Sequence, residues 1–358
     1  MRHGNAHGDI FIGDHTLNDF VHYNEELLPH WKEFASALEQ HRHYLKYTPN
    51  ESKSDFLLCL SNIELSEEVI DLLSKALEST NFSGLRLARN NMGQKGIEFA
   101  LNYLDNNSKC CKFGILQNRI DMENLRRLCR IIKNHPSLKG LSLCEVGGGD
   151  DNGYQMLKMI LTSGKNKLQY IQLCNNNINT GGDTVISDFI SQNSCMTYLE
   201  LGDNQLDDND AVAIASAMKY NTRLGTLCLV DNNFTVAGWE VLSKAIFDKT
   251  SLNSAADSNH TCSIDFPSDN AAFTDVLEIN GGTKWLDRIL VRQKKIYSIL
   301  STRNKDCSNV DHFDDDMPVE LLPDLLTCIQ KYADYYVPNH APPRDIQDTK
   351  PLSIVFEI

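Results

Sequence analysis

The amino-acid sequence predicts an α/β solenoid in which short parallel strands form one face and helices form the other. Three observations predict it: a motif that recurs about every 28 residues, an asparagine at the same place in five copies, and apolar residues at helical spacing between the motifs. A chain of 358 residues is also longer than one ordinary compact core, which favours an elongated repeat or several domains.

The motif reads Φ-x-Φ-x-x-Asn-x-Φ, where Φ is an apolar residue. Its first Φ recurs at steps of 28 residues, with one step of 30: Leu85, Phe113, Leu141, Ile171, Leu199, Leu227 and Ala255. The asparagine is present in five copies: Asn90, Asn118, Asn176, Asn204 and Asn232. An earlier, less regular copy begins at Leu58. A unit this small cannot bury its own apolar face, so we expect the units to stack and share one core.

Each part of the repeat has a physical reason. The alternation of Φ and x predicts a short strand with one buried face. The asparagine follows where the chain turns, and its amide can satisfy backbone groups of its own loop and of the neighbouring copy. Small or polar residues four positions after the last Φ are expected to cap the helices: Gly96, Asn124, Gly182, Asp210 and Gly238. Because strands lie about 4.8 Å apart and helices about 10 Å apart, the stack should curve into a horseshoe with its strands on the concave face.

This pattern resembles the leucine-rich-repeat superfamily, in its ribonuclease-inhibitor-like subclass. The resemblance covers residues 56–262, and it implies the curved solenoid and a protein-binding, non-catalytic role. Three copies depart from the asparagine at the equivalent position: Ile63, Val146 and His260. Residues 257–262 and 350–354 also resemble leucine-rich-repeat proteins of unicellular algae.

The regions outside the repeat are expected to close its ends, because a solenoid needs its terminal units covered. The predicted organisation has four parts: a flexible N-terminus at 1–15, a helical N-terminal cap at 16–55, the solenoid at 56–262, and a mainly helical C-terminal capping region at 263–358. The N-terminal cap should hold a helix interrupted at Pro29. The C-terminal region should hold an amphipathic helix over 284–303, with Lys295 among its basic residues, and another helix over 318–332.

Composition argues against several classes of partner and of chemistry. The formal net charge is −14, so the chain should repel nucleic acid and anionic membranes. An odd number of cysteines, 11, without a CxxC pair, predicts reduced thiols and an intracellular location in the cytoplasm or the nucleus. No nucleotide-binding, hydrolase or metalloprotease motif is present, so we expect no catalytic residue, no cofactor and no metal.

Two groups on the predicted concave face are candidate binding residues. Tyr170 and Tyr198 are equivalent residues of adjacent strands, so their rings should lie about 5 Å apart and form one aromatic platform. Asp203 and Asp231 are likewise adjacent, with Glu200 nearby, and a partner bearing Lys or Arg would relieve their repulsion. Simple packing of the tyrosines and full solvation of the carboxylates are the competing interpretations.

A third group lies toward the N-terminal end of the repeat. Arg86 and Arg89 are expected to form a basic patch there. The concave face would then run from basic to acidic, which would orient a partner more than it would tighten the complex.

Three functions are compatible with these residues. The first is a non-catalytic protein–protein interaction scaffold that binds a partner with a basic segment on the concave face. The second is a GTPase-activating or regulatory protein. It is suggested by resemblance to the Ran GTPase-activating protein family, whose polar and basic helper residues lie at the strand–loop edge; by analogy, Arg89 and Asn90 are their nearest counterparts here. The third is an enzyme that uses Glu200, Asp203 and Asp231, for which the sequence offers no partner base.

Overall fold

The structure of the chain, a computed structural model, describes residues 10–12, 20–47, 57–78, 80, 82–147, 152–163, 167–192, 195–267, 276, 279–280, 288–305 and 323. The chain divides into two compact units. The first unit comprises Met1–Leu206 and Cys228–Asn233, and the second comprises Asp207–Leu227 and Phe234–Ile358.

The first unit alternates strands with helices along the chain. Its strands are β1 (Ile10–Ile12), β2 (Leu57–Ser61), β3 (Gly84–Ala88), β4 (Lys112–Leu116), β5 (Gly140–Cys144), β6 (Tyr170–Gln172) and β7 (Tyr198–Glu200). Its helices are α1 (Leu28–Tyr47), α2 (Glu67–Leu77), α3 (Gly93–Asn106), α4 (Met122–Asn134), α5 (Gly153–Ser163) and α6 (Val185–Gln192). The seven strands pair in chain order and all pairs are parallel. The predicted α/β repeat architecture is confirmed.

Equivalent residues of successive copies lie side by side in this sheet. Leu85 pairs with Phe113, Phe113 with Leu141, Leu141 with Ile171, and Ile171 with Leu199. None of these five side chains is more than 2% exposed, and each contributes about 1.5–3 kcal/mol by its burial. A slip of one residue would turn this apolar row toward solvent. The register that the repeat predicts is therefore confirmed across these strands.

The repeated asparagines form a ladder of hydrogen bonds between copies. The backbone N–H of Asn90 donates to Oδ1 of Asn118 at 3.0 Å, and the Asn90 amide donates to the carbonyl of Ile63 at 3.0 Å. Further along, Oδ1 of Asn204 accepts from the N–H groups of Asn176 and Ile178 at 3.1 and 3.0 Å. These buried backbone groups would each cost about 1–3 kcal/mol if left unpaired. The predicted role of the asparagine is confirmed.

The N-terminal part of the first unit covers the apolar face of α2. Helix α1 contacts α2 and buries Trp31, Ala35 and Leu38. Pro29 lies in the first turn of α1, where its missing N–H breaks no helical bond. It therefore starts the helix and does not interrupt it. Residues Ile10–Ile12 fall in the segment predicted to be flexible, yet they form β1 beside β2.

The second unit contains α7 (Asp208–Met218), the start of β8 (Thr226–Cys228), α8 (Val236–Ile246), α9 (Leu252–Asp257), β9 (Ser263–Asp265) and α10 (Arg288–Lys305). The last predicted strand, around Ala255, is wrong because that residue lies in α9. The side chain of Ser251 caps α9 by accepting from the Ser254 N–H at 2.9 Å. The short side chains that follow Leu252 favour a helix over a strand. The strand forms eight residues later, with Ile264 buried.

Helix α10 differs from the predicted amphipathic helix at two positions. Val291, Ile296 and Ile299 are buried as expected, but Ile289, also predicted on the apolar face, is 59% exposed, and Lys295 is buried, with 0% of its surface exposed. Lys295 lies four residues from both Val291 and Ile299, so helical geometry places it on the same face. Burial lowers the pKa of Lys295 to about 7. The helix predicted over 318–332 lies outside the described residues, apart from Pro323.

The predicted helix caps are also wrong. Gly96, Asn124, Asp210 and Gly238 lie inside the first turns of α3, α4, α7 and α8, and Gly182 lies three residues before the first residue of α6. Three helices are capped by earlier residues: Asp121, Asp207 and Thr235.

The predicted positions are small for a different reason, which is close packing at the helix start. A Cβ on Gly96 would collide with the side chain of Met92, and a Cβ on Gly238 would collide with the carboxylate of Asp208. At these two glycines the restriction to small residues comes from packing and not from capping. Asp210 does contribute to a cap from inside its helix, because its carboxylate accepts from the Asp207 N–H at 3.0 Å in a capping box.

Candidate functional site

The sheet of the first unit has an open face that carries the candidate residues. Along β3, Leu85 and Leu87 are buried while Arg86 is partly exposed, as alternation requires. Pairing of β3 to β7 aligns one residue from each strand into a central row on this face: Arg86, Gly114, Ser142, Gln172 and Glu200. The positions of the other candidate side chains are described relative to this central row.

Tyr170 and Tyr198 form the aromatic platform at the start of β6 and β7. Their ring centroids are 4.4 Å apart and the rings are inclined by only 11°, so they stack. Both rings are half-buried. Burial, and next the nearby Glu200 carboxylate, raise the pKa of both phenols, so both are neutral at pH 7. The predicted stacking geometry is confirmed, while its role in binding stays a prediction.

A chain of hydrogen bonds fixes this platform from one side. The Ser142 hydroxyl donates to Oε1 of Gln172 at 2.8 Å, and the Gln172 amide donates to the Glu200 carboxylate. The same carboxylate accepts from the Tyr198 hydroxyl at 3.0 Å. Glu200 is therefore engaged with Gln172 and Tyr198, and this network is absent from the sequence prediction. The sequence contains the signal for this network, because Ser142, Gln172 and Glu200 occupy equivalent positions of successive copies, and Tyr198 lies two residues before Glu200.

The other candidate residues, Arg89, Asp203 and Asp231, lie at the carboxyl ends of the strands. All three are exposed and have left-handed backbone angles, with φ of 52°, 53° and 55°. The residue before the asparagine position adopts this conformation in every copy from Arg89 to Asp231, including Glu145, which precedes Val146. Asp tolerates it better than most residues, because its short side chain bonds locally. The two aspartates thus have a backbone reason for their position, independent of any partner.

The two arginines of the predicted basic patch are not brought together in one site. Arg89 lies at the carboxyl ends of the strands, together with Asp203 and Asp231; we call this region the carboxyl edge. Arg86 instead lines a groove that opens toward the amino ends of the strands. This groove has a volume of about 780 Å³ and carries four cationic side chains and one wall residue from the platform: Arg86, Lys109, Lys112, Lys139 and Tyr170. We call it the basic groove. No Asp or Glu is among the described residues that line it.

A missing side chain creates the floor of the basic groove. Gly114 lies between Arg86 and Ser142 in the central row, and a Cβ there would come within 3.4 Å of carbon atoms of both. A larger residue would crowd these neighbours and project into the groove that Gly114 lines. Sequence reasoning missed the lysines because they belong mainly to the loops before the strands. Extending the column comparison to those loops would have aligned Lys139 with Cys111 and Gln169.

The GTPase-regulator hypothesis loses one of its two residues. Asn90 is 0% exposed, and its amide donates to the Ile63 carbonyl in the asparagine ladder. A partner cannot reach it without breaking the ladder. Within the described ranges, no group of three or more His, Cys, Asp or Glu residues is placed to hold a metal ion.

The prediction that the cysteines are reduced thiols is wrong for one pair. Cys144 and Cys174 form a disulfide between neighbouring copies, with Cα atoms 4.8 Å apart. Both occupy the same column of the open face, where adjacent strands bring equivalent residues together. Among the described residues, seven other cysteines are free. One of them is Cys110, a buried thiol whose pKa burial raises to about 12.

Comparison with known proteins finds curated relatives of low sequence identity. No protein-family model matches the chain. It is 23% identical over 248 residues to NACHT, LRR and PYD domains-containing protein 14 of Mus musculus, which covers 63% of this chain and 25% of that protein. It is 25% identical over 192 residues to the ribonuclease inhibitor of Sus scrofa, which covers 53% of this chain and 42% of that protein. The chain spans less than half the length of both relatives.

A solved structure of an internalin from Listeria monocytogenes is also similar, at a level too low to carry an argument. Its TM-score is 0.32 at 16% identity, over 60% of this chain and 67% of that chain. The strand–helix repeat and the asparagine ladder form a leucine-rich-repeat solenoid, and the similarity to these two relatives supports the predicted resemblance to the ribonuclease-inhibitor-like subclass. Neither relative carries the name of an enzyme. No described helix is long and apolar enough to cross a membrane.

Proposed function

We propose that the chain is a non-catalytic scaffold that binds a protein partner on the open face of the first unit, centred on Tyr170 and Tyr198. The observation that carries the proposal is the stacked pair, 4.4 Å apart, with Tyr198 held by Glu200. Rings that are already ordered lose little conformational entropy on binding, and tyrosine is enriched among residues that dominate interface energies. One relative, the ribonuclease inhibitor, is named for a target that is itself an enzyme.

The carboxyl edge extends this surface. Arg89, Asp203 and Asp231 are exposed there, and a basic segment of the partner would pair with the two aspartates. Exposed pairs contribute only about 0–1 kcal/mol each, so they would set the orientation of the partner more than its affinity. The net charge of −14 opposes nucleic acid as the partner.

We place this function inside the cell, in the cytoplasm or the nucleus. Four of the free cysteines are deeply buried, at 0–7% exposure, and serve as small apolar side chains: Cys59, Cys110, Cys129 and Cys262. Thiols that remain free in this way are typical of a reducing compartment. In such a compartment the Cys144–Cys174 pair would also be reduced.

The experiment compares proteins captured from lysate by the wild-type chain and by two variants. Tyr170→Ser/Tyr198→Ser removes the platform. Tyr220→Ser removes another exposed tyrosine, 77% accessible, and serves as the matched control. We expect specific partners to fall more than tenfold with the double variant and to be unchanged with the control. Hydrogen exchange on the purified complex should then protect β6 and β7. Capture that is unchanged by the double variant, while circular dichroism shows a normal fold, contradicts the proposal.

A further inference from the structure

The basic groove has a charge opposite to that of the whole chain. Four cationic side chains line it and no described lining residue is acidic, although the net charge of the chain is −14. The structure gives Arg86, Lys109, Lys112 and Lys139 no ion-pair partner among the described residues. Like charges around one groove repel one another, and a bound anion relieves that repulsion.

Arg86 is the most restricted of these cations. Its side chain is only partly exposed, and its Nε is buried without a hydrogen-bond partner. A buried donor without an acceptor is unfavourable, and the penalty is larger for a charged group. A carboxylate bound in the groove would neutralise the guanidinium charge directly, and it would reach Nε once the partly exposed Arg86 side chain shifts toward it.

The dimensions of the groove match an extended peptide. It runs from Leu57 on β2 to Tyr170 on β6, which crosses five strands and about 19 Å, the length of about six extended residues. Gly114 and Gly140 lie in its lining. Because glycines have no side chains, a peptide can approach the sheet closely there.

We propose that the basic groove binds an acidic peptide segment, bearing Asp or Glu, that belongs to the protein partner. This inference rests on the proposed function, because the groove shares Tyr170 with the aromatic platform of the same face. A carboxylate between Arg86 and Lys112 would form charge-assisted hydrogen bonds with their side chains. The partner would thus place its acidic segment at the amino ends of the strands and the rest of its contact on the tyrosines.

A short acidic peptide fits these charges better than nucleic acid does. Screening limits electrostatic interactions to about 8 Å at physiological salt, so a short segment in the groove senses mainly the four cations. A longer polyanion would extend beyond them over a chain whose net charge is −14, and it would be repelled there. Nucleic acid is therefore kept as a competing outcome of the test.

The test measures binding of labelled probes to the full chain by fluorescence anisotropy. The main probe is a peptide of about eight residues that alternates Glu with Ser, and two comparison peptides carry Gln or Lys in place of Glu. A single-stranded oligonucleotide of similar charge is the fourth probe. We expect the Glu peptide alone to bind, with an affinity that falls as salt is raised.

Two variants separate charge from shape. Arg86→Gln/Lys112→Gln should weaken the Glu peptide by at least about tenfold. The control Arg126→Gln/Lys133→Gln removes two exposed charges from α4 and should change the affinity less than about twofold. Gly114→Leu leaves every charge in place but fills the floor, and it should also weaken binding about tenfold. If that variant does not fold, the charge variants carry the test by themselves.

Three results would overturn the inference. The Gln peptide could bind as tightly as the Glu peptide, the oligonucleotide could bind more tightly than either, or the α4 control could reduce affinity as much as the groove variant. The inference and the proposed function fail differently. If a captured partner depends on Tyr170 and Tyr198 but not on Arg86 and Lys112, the groove assignment is wrong and the scaffold remains. If it depends on neither pair, both are wrong.

Discussion

Asn204 is the most heavily bonded member of the asparagine ladder, and replacing it tests how the copies are held together. Its Oδ1 accepts from the N–H groups of Asn176 and Ile178, and its amide donates to three carbonyls: Leu173, Leu201 and Gly202. The side chain is 7% exposed. Asn204→Ala would leave two buried donors unpaired, at about 1–3 kcal/mol each. We expect the free energy of unfolding to fall by about 2–6 kcal/mol, a large share of a typical total.

Urea unfolding followed by circular dichroism measures that loss. Asn209→Ala is the matched control, because Asn209 is exposed and bonds only to its own helix cap, Asp207. It should change stability by less than about 0.5 kcal/mol.

Hydrogen exchange gives a local check of the same prediction. In Asn204→Ala the amides of Asn176 and Ile178 should exchange faster than in the wild type. The amide of Asn90, bonded to Asn118, should keep its protection. A loss below about 1 kcal/mol, or equal deprotection at Asn90, would refute the idea that each asparagine satisfies its own neighbours.

Three further predictions concern buried contacts. Since the pKa of Lys295 is lowered to about 7 from about 10.4 in the unfolded chain, the unfolded state binds more protons between these values. The wild-type stability should therefore rise by up to about 4 kcal/mol from pH 7 to 10, and Lys295→Met should abolish that rise in unfolding experiments. Gly238→Ala, which usually stabilises a helix, should lower the melting temperature because its Cβ collides with Asp208; a higher value would contradict this. Cys144→Ser should cost about 3–4 kcal/mol of loop entropy without reductant, because the Cys144–Cys174 bond closes a 30-residue separation. The variant and the wild type should unfold alike in excess dithiothreitol.

The basic groove and the carboxyl ends of the strands would bind oppositely charged segments of one partner. The groove offers cations at the amino ends of the strands, and Asp203 and Asp231 offer carboxylates at the other ends. A partner that satisfies both would carry an acidic segment and a basic segment on opposite sides of its aromatic contact. Such an arrangement favours one orientation over its reverse, because reversal would bring like charges together.

Periodic features were predictable from the chain alone. The spacing of Leu85, Phe113 and Ile171 is enough to place their strands side by side, because an apolar residue repeated at a constant interval can be buried only if the copies stack in register. The same argument placed Tyr170 beside Tyr198. Adjacent positions in one column are neighbours in space, whatever their side chains.

Features that depend on contacts between different columns or loops required the folded structure. The groove forms because Gly114 leaves a gap beneath side chains from several loops, and no periodic pattern describes a gap. Gly96 and Gly238 resembled helix caps because packing and capping both demand small residues, and only the position of Met92 or Asp208 separates the two causes. The buried amino group of Lys295 is hydrogen-bonded by the carbonyls of Ile246 and Asn259 and by Nδ1 of His260. These residues are far from Lys295 in the sequence and meet it only when the second unit has folded, so the local sequence could not predict its burial.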